Sequence, residues 1–185
     1  AMQQRFLTRK SLTVLFSMCL FIPTNAFMVP YYVMINKIGL YDNVLGIALV
    51  YAGVNLPMSF MVIKGYMDTI PGELLESAKI DGATAGQSFW KIILPMSKPI
   101  VVYTVLTSFI GPWTDFILAK IIMGDARDNY TVAIGLQLMI DQDFKNTYYK
   151  QFLAGSVVVA VPITLLFLKM QKYYVEGVTA GGVKG

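Results

Sequence analysis

The fold is decided by an uncharged stretch, NVLGIALVYAGVNLPMSFMVI, which occupies residues 43–63 and is followed by Lys64. At about 1.5 Å of rise per residue, a helix of this length crosses the roughly 30 Å hydrocarbon core of a bilayer. Three further stretches have the same apolar character. Together they predict four membrane spans, at about residues 11–36, 43–63, 99–119 and 151–168. The sequence therefore predicts an all-α fold, a polytopic transmembrane helical bundle.

The composition of the whole chain agrees with this fold class. Hydrophobic residues make up 56% of the 185 residues and charged residues 14%, against about 45–50% and about 25% in soluble domains. The mean hydropathy is +0.58. A secretory signal peptide also places basic residues before an apolar run. Here the first run is too long for one, and Tyr31–Tyr32 occupy its far end instead of a small-residue cleavage site.

The ionisable side chains argue against an enzyme and against a metal site. The chain has no histidine, and its one cysteine, Cys19, lies inside an apolar run as a packing residue. A membrane enzyme would need nucleophiles, bases or ligands that converge within the spans, and Asp115 is the one carboxylate within a predicted span. The net charge of +4 comes from residues beside the apolar runs. This position favours a role in orienting the spans in the membrane over a role in nucleic-acid binding. We expect no metal and no cofactor bound by this chain.

Several residues predict irregularities in the spans and short elements between them. Pro23 and Pro30 are expected to kink the first span, and Gly111–Pro112 to break the third. Within the mixed 120–150 loop, residues 130–140 have the spacing of a short helix. Residues 130–135 of this segment are interpreted either as a contact loop for a partner or as a plain connector. Residues 178–185 are small, which predicts a flexible tail.

The loop between the second and third spans, residues 64–98 and here called the motif loop, is too charged for a membrane helix. It nevertheless carries helix signals. Pro71 suits a first helical turn, and Thr84 with Gln87 forms the sequence pattern of a capping box. Gly82 lies where one helix would stop. The motif loop is therefore predicted to form two short amphipathic helices joined by a corner at residues 81–83.

Lysine and arginine counts predict the orientation. One side of the membrane would carry Arg5, Arg9, Lys10, Lys64, Lys79, Lys91, Lys98, Lys169, Lys172 and Lys184. The other side would carry Lys37, Lys120, Arg127, Lys145 and Lys150. The side with more basic residues is expected to be cytoplasmic, which places both termini of the chain and the motif loop there. The 120–150 loop is expected to be external.

Residues 71–83, PGELLESAKIDGA, followed by Phe89 and by IILP at 92–95, resemble the EAA motif of ABC importer permeases. That motif runs Glu-Ala-Ala, three residues, Gly, nine residues and Ile-x-Leu-Pro, with Ser77 here in place of the first alanine. Flanking residues 63–66 and the 177–185 tail are similar to the carbohydrate-importer branch, and more narrowly to the second permease of maltose/maltodextrin-type systems. The resemblance covers nearly the whole chain.

The resemblance implies a type I importer fold with six spans, of which this chain would hold the C-terminal four without the first two. It implies a bacterial cell membrane, a second permease subunit, ATPase subunits that bind the ATP, and an extracellular or periplasmic sugar-binding protein. The motif loop would then couple to the ATPase. The residues implied in that contact are Glu76, Ser77, Ala78, Asp81, Gly82, Ala83, Phe89, Leu94 and Pro95, with Gly181, Gly182 and Lys184 of the tail as a further ATPase contact.

Other interpretations stay open at this point. The solute could differ from a sugar, or the chain could be a membrane protein that only anchors partners through its loop. Polar residues of the spans could line a translocation path or serve as packing contacts between helices. These residues are Asn55, Ser59, Thr104, Thr107, Ser108 and Trp113. None of them is assigned to the substrate.

Overall fold

The computed structural model describes residues 6–124, 129–141 and 145–182. Within these ranges the chain forms α-helices with short 3₁₀ and π-helical turns and no strand, as the all-α prediction requires. The first five helices are α1 (Phe6–Leu20), α2 (Met28–Lys37), α3 (Val44–Met67), α4 (Gly72–Ile80) and α5 (Ala85–Ser88). The remaining five are α6 (Leu94–Met96), α7 (Lys98–Thr114), α8 (Ile117–Met123), α9 (Val132–Met139) and α10 (Lys145–Gly182).

The first predicted span is not one helix. α1 and α2 are separated by a turn around Pro23 and a 3₁₀ segment, Thr24–Phe27, and the two halves are bent by 90°. Pro23 has no N–H to continue the ladder of α1, so the break falls there. Pro30, predicted as a second kink, lies in the first turn of α2, where the missing N–H has no intrahelical acceptor to lose.

The third predicted span also ends earlier than expected. α7 contains Pro112 and continues to Thr114, and the chain turns at Asp115, which has an extended backbone. The helix therefore breaks at Asp115, a few residues after the predicted position at Gly111–Pro112. A proline near the end of a helix removes few backbone hydrogen bonds, so α7 can continue past it. Residues 117–119 belong to α8 and not to the span. Leu118 and Ala119 in that helix are 4% and 0% exposed.

Among the described residues, two helices are long and apolar enough to cross a membrane, Val44–Met67 and residues 147–173 of α10. Two bent pairs also pass the same test of length and composition: Lys10–Leu20 with Thr24–Lys37, and Ala85–Met96 with Lys98–Thr114. The described residues thus hold two spans, or up to four if each bent pair crosses once. The four-span boundaries stay a prediction.

The buried core lies at one end of the bundle, where α2, α3, α8 and α9 meet. Its members are Ile35, Ile47, Val50, Leu118, Ala119, Ile122, Met123 and Ile134. The short helix predicted at 130–140 is confirmed as α9, which begins after the N-cap residue Thr131. Because Ile134 of this helix is 0% exposed, the first turns of α9 are part of the core and not a plain connector.

The apolar surface outside the core faces outward. None of the residues in the apolar window of α10 is buried, and Val158 in its middle is 68% exposed. α10 packs on α7, α9 and α3, while its remaining surface presents valine, leucine and phenylalanine to the surroundings. A soluble protein of this size does not expose so much contiguous apolar area, whereas a lipid-embedded one does.

Contacts between helix ends occur at two opposite ends of the bundle. At the end next to the motif loop, here the loop end, the Tyr66 hydroxyl donates to the Met96 carbonyl at 2.8 Å, and Lys98 lies 5.7 Å from the Tyr173 ring centroid. At the opposite or far end, the Asp42 N–H donates to the Ile122 carbonyl at 3.0 Å. The 24 residues of α3 separate the two ends by about 36 Å.

Candidate functional site

The first half of the motif loop ends in a tight, fully hydrogen-bonded corner. The Gly82 N–H donates to the Lys79 carbonyl at 3.1 Å, and the Ala83 N–H to the Ala78 carbonyl at 2.9 Å. This pair of bonds is the Schellman motif, which requires a left-handed residue after the helix. Gly82 supplies it with φ +78°. A Cβ added there would meet no atom within 4 Å, so backbone conformation rather than crowding within the chain favours glycine.

The second half of the motif loop begins with the predicted capping box, which is confirmed. The Gln87 N–H donates to the Thr84 Oγ1 at 3.3 Å, and the Thr84 N–H donates to the Gln87 Oε1 at 2.8 Å. α5 then passes into a π-helical turn, Phe89–Ile93, before α6. Pro71, predicted within the first turn of α4, is its N-cap residue instead. We call residues 72–88 the knob.

The predicted coupling residues divide by exposure. Glu76, Ser77, Asp81, Gly82, Phe89 and Pro95 are exposed, and Ala83 and Leu94 are partly buried. Ala78 is 7% exposed, so it packs within the chain. Its small side chain permits this close packing inside the protein, and its predicted place in the ATPase contact stays a prediction.

The charged side chains at the end of α4 in the knob form no ion pairs with described residues of this chain. In the described part of the chain, Glu76, Lys79 and Asp81 make no ion pair, although Glu76 and Lys79 lie three residues apart on the same helix. Lys64 and Asp68, just before the knob, do pair at 2.5 Å. The knob thus presents free charges of both signs.

Sequence reasoning missed the most exposed apolar side chain of the knob. Ile80, the last residue of α4, is 85% exposed, and Trp90 just beyond the knob is 67% exposed. Helical periodicity contains the signal: with Ala78 facing inward, a residue two positions later points to the opposite side. An isolated isoleucine on a charged, capped loop is available for burial against another protein.

A second candidate site is an open groove of about 410 Å³ between α3 and α7, here the α3–α7 groove. It is lined by Ala48, Tyr51, Ala52, Asn55, Leu56, Ser59, Ser108 and Pro112. Three of the six polar residues considered for a translocation path, Asn55, Ser59 and Ser108, thus lie together. The hydroxyls of Thr104 and Thr107 instead donate to carbonyls of their own helix.

Asp115 has a structural partner on each side. Its Oδ2 accepts the Tyr51 hydroxyl at 2.8 Å and the Ala119 N–H at 2.9 Å. The carboxylate therefore caps the first turn of α8 and ties it to α3 at the far end. Groups of three or more possible metal ligands are absent from the part of the chain that the structure describes.

The tail departs from expectation in its described portion. α10 continues as a helix through Gly182, so Gly181 and Gly182 end a helix rather than belong to a flexible segment. Lys184 lies outside the described residues. The ATPase contact predicted for these three residues stays a prediction.

The exposed apolar helices define the class of this chain, a multi-pass helical membrane protein. More narrowly, it belongs to the family described as the binding-protein-dependent transport system inner membrane component, whose model matches residues 1–179. The family and the relatives it includes are transport components and not enzymes. The resemblance stated from the motif is thereby confirmed.

The chain is also similar to individual curated proteins, which are named as permeases for sugars. The chain is 38% identical to the maltodextrin transport system permease protein MalD of Streptococcus pneumoniae, over 97% of this chain and 64% of the relative. It is 37% identical to the galactooligosaccharides transport system permease protein GanQ of Bacillus subtilis, over 98% and 63%. It is 36% identical to the maltose/maltodextrin permease MalG of Salmonella typhimurium, over 88% and 56%. The chain thus spans less than two thirds of the length of these relatives.

Proposed function

We propose that this chain is a membrane-spanning permease part of an ATP-driven importer for maltodextrin-like sugars. The observation that carries the proposal is similarity along nearly the whole chain to proteins named as permeases for maltodextrin, galactooligosaccharide and maltose. The importer would also contain a second permease subunit, ATPase subunits and an extracellular or periplasmic sugar-binding protein. An ABC permease for a different solute is the second candidate, since the motif loop is common to importers of many solutes.

The knob is the element proposed to couple this chain to the ATPase. The hydrogen bonds of its corner and its capping box hold the backbone of the knob in one conformation. A knob this stiff can pass a displacement of the ATPase on to the spans without deforming. The unpaired charges of Glu76 and Asp81 suit basic groups at a cleft edge, and Ile80 suits an apolar cleft floor. The sequence has no Gly-rich phosphate loop ending in Lys-Ser/Thr, and ATP would be bound by the partner.

The loop end is proposed to face the cytoplasm, with both termini of this chain on that side. Lys64, Lys98 and Lys172 belong to helix ends there, whereas Lys37 and Lys120 belong to the far end. The excess of basic residues near the loop end then follows the positive-inside rule. The far end, with α8 and α9, would face the sugar-binding protein.

The proposal is tested by Gly82→Trp in the full-length permease, assembled with its partner subunits in proteoliposomes. Uptake of labelled maltotriose driven by enclosed ATP is measured. Tryptophan adds bulk at a corner where no atom of the described residues lies within 4 Å of an added Cβ, and we expect uptake to be lost while the permease still inserts into the membrane. Gly82→Ala is the matched control, because it imposes the same positive-φ strain of about 1–2 kcal/mol without the bulk.

The two variants separate docking from strain. Normal uptake and normal ATPase association with Gly82→Trp would exclude the knob from the contact. Equal loss in both variants would assign the effect to the corner itself. A panel of amino acids and polyamines tested in the wild-type vesicles decides the solute class, and vesicles that move no solute at all would favour a membrane protein that only anchors partners.

A further inference from the structure

The α3–α7 groove carries hydrogen-bonding groups that the chain leaves unused. In the described residues, the hydroxyls of Ser59 and Ser108 bond no protein group. Hydroxyls elsewhere in the bundle behave differently: Thr104 of α7 donates to the Ile100 carbonyl and Ser156 of α10 to the Phe152 carbonyl, each at 2.8 Å. The groove serines are therefore not accounted for by the usual bond of a helical hydroxyl to its own backbone.

Other groove residues add acceptors and an aromatic surface. Asn55 donates one amide N–H to the Tyr51 carbonyl at 2.9 Å, which leaves its second N–H and its side-chain oxygen for another partner. Pro112 has no N–H to offer the carbonyl of Ser108, one turn earlier in α7. The ring of Tyr51 forms part of the wall, while its hydroxyl is held by Asp115.

This pattern does not suit a lipid-facing surface. Hydrocarbon offers no partner for an amide or a hydroxyl, and each polar group left unpaired there is costly. The neighbouring lipid-type surface of α10 shows the contrast, since its exposed residues Val157, Val158 and Leu165 are all aliphatic. The polar side chains of the groove instead suit water, a polar solute or a polar protein surface against them.

Building on the proposed function, we propose that the α3–α7 groove is a sugar-contacting wall of the translocation path. Asn55, Ser59 and Ser108 bond sugar hydroxyls there, and the Tyr51 ring packs against the apolar face of a sugar ring. Among the described residues, no charged side chain lines the groove, which suits a neutral polyhydroxyl solute. Its volume falls within the roughly 300–1,000 Å³ of small-molecule sites.

The first test measures access. Ser59→Cys and Ser108→Cys are placed singly in the full-length permease with Cys19→Ser, assembled with its partner subunits in proteoliposomes, and treated with a membrane-impermeant thiol reagent. We expect both cysteines to react, and maltotriose with its binding protein and ATP to slow the reaction. Met58→Cys is the matched control: Met58 adjoins Ser59 in α3 and is 53% exposed, but lies outside the groove lining. Maltotriose should not protect it.

The second test measures transport. We expect Asn55→Ala to lower maltotriose uptake per ATP hydrolysed by about fivefold, the effect of one lost hydrogen bond in the path. ATP hydrolysis stimulated by the sugar-loaded binding protein should stay unchanged, because the knob is intact. A variant that merely misfolded would lose both activities and its partner subunits. Ser59→Ala gives a second, smaller change at the same wall.

The outcomes distinguish this inference from the proposed function. A wild-type complex that moves no maltotriose removes the proposed function. Wild-type uptake with no labelling at either groove cysteine would mean that the partner permease or lipid covers the groove, and the inference would be wrong. Labelling without maltotriose protection, together with normal uptake by Asn55→Ala, would also overturn it.

Discussion

Removal of the Ile80 side chain is the sharpest test of the knob as a docking element. Ile80→Ala deletes three carbons, each worth about 0.8 kcal/mol when buried. The side chain is 85% exposed, so nearly all of this contribution, about 2 kcal/mol, is available to a partner that covers it. At 1.4 kcal/mol per tenfold, the ATPase should bind about 30-fold more weakly. The same exposure means that the fold of this chain loses little.

The measurement is the Kd of purified ATPase subunit for the two-permease complex held in nanodiscs, by a surface binding assay. Leu45→Ala is the matched control, because Leu45 is 65% exposed but lies at the far end, in the first turn of α3. We expect its Kd to equal that of the wild type. A Kd for Ile80→Ala indistinguishable from wild type, with full complex formation, would refute the reasoning that this side chain enters a cleft.

Two further predictions concern the packing that holds the ends of α3. A Cβ at Gly46 would overlap the Leu40 carbonyl oxygen, so Gly46→Ala should lower the Tm of the detergent-solubilised permease, by the equivalent of about 1–3 kcal/mol. Gly53→Ala, with open space at its Cβ, should leave the Tm unchanged or raise it slightly; equal Tm losses would contradict the overlap. Tyr66→Phe removes the 2.8 Å bond to the Met96 carbonyl and should cost about 0.5–1.5 kcal/mol in thermal unfolding, with less uptake per ATP hydrolysed. An unchanged uptake ratio would show that this bond does not serve coupling.

Sequence signals for helix caps and tight turns predicted the structure well in the motif loop and at α9. The capping box at Thr84 and Gln87, the corner at Gly82 and the short helix after Thr131 were each predictable. Each depends on a few hydrogen bonds among residues close in sequence. The motif loop could therefore be described in some detail before its surroundings were known.

Features set by packing between helices were not predictable. The 90° bend near Pro23 depends on α2 folding back onto α8 in the core, and a proline alone does not state the angle. The burial of Ala78 within the chain was not predictable either, because a small residue suits close contact inside or outside the chain. In the same way, the sequence offers six polar residues that could line a path. Three of them lie in the α3–α7 groove, and this depends on how α3 and α7 are rotated relative to each other.

The two candidate sites are connected by the chain itself. α3, which carries Asn55 and Ser59, leads directly into the motif loop, and α7, which carries Ser108, leads directly out of it. The exit is a 68° bend at Ser97, a residue that is 0% exposed, and the Tyr66 bond to Met96 fastens the end of α3 to the same bend. A displacement of the knob by an ATPase would therefore act on both walls of the α3–α7 groove at once. The proposed coupling would need no separate relay, because the element proposed to receive the push joins the two helices that form the groove.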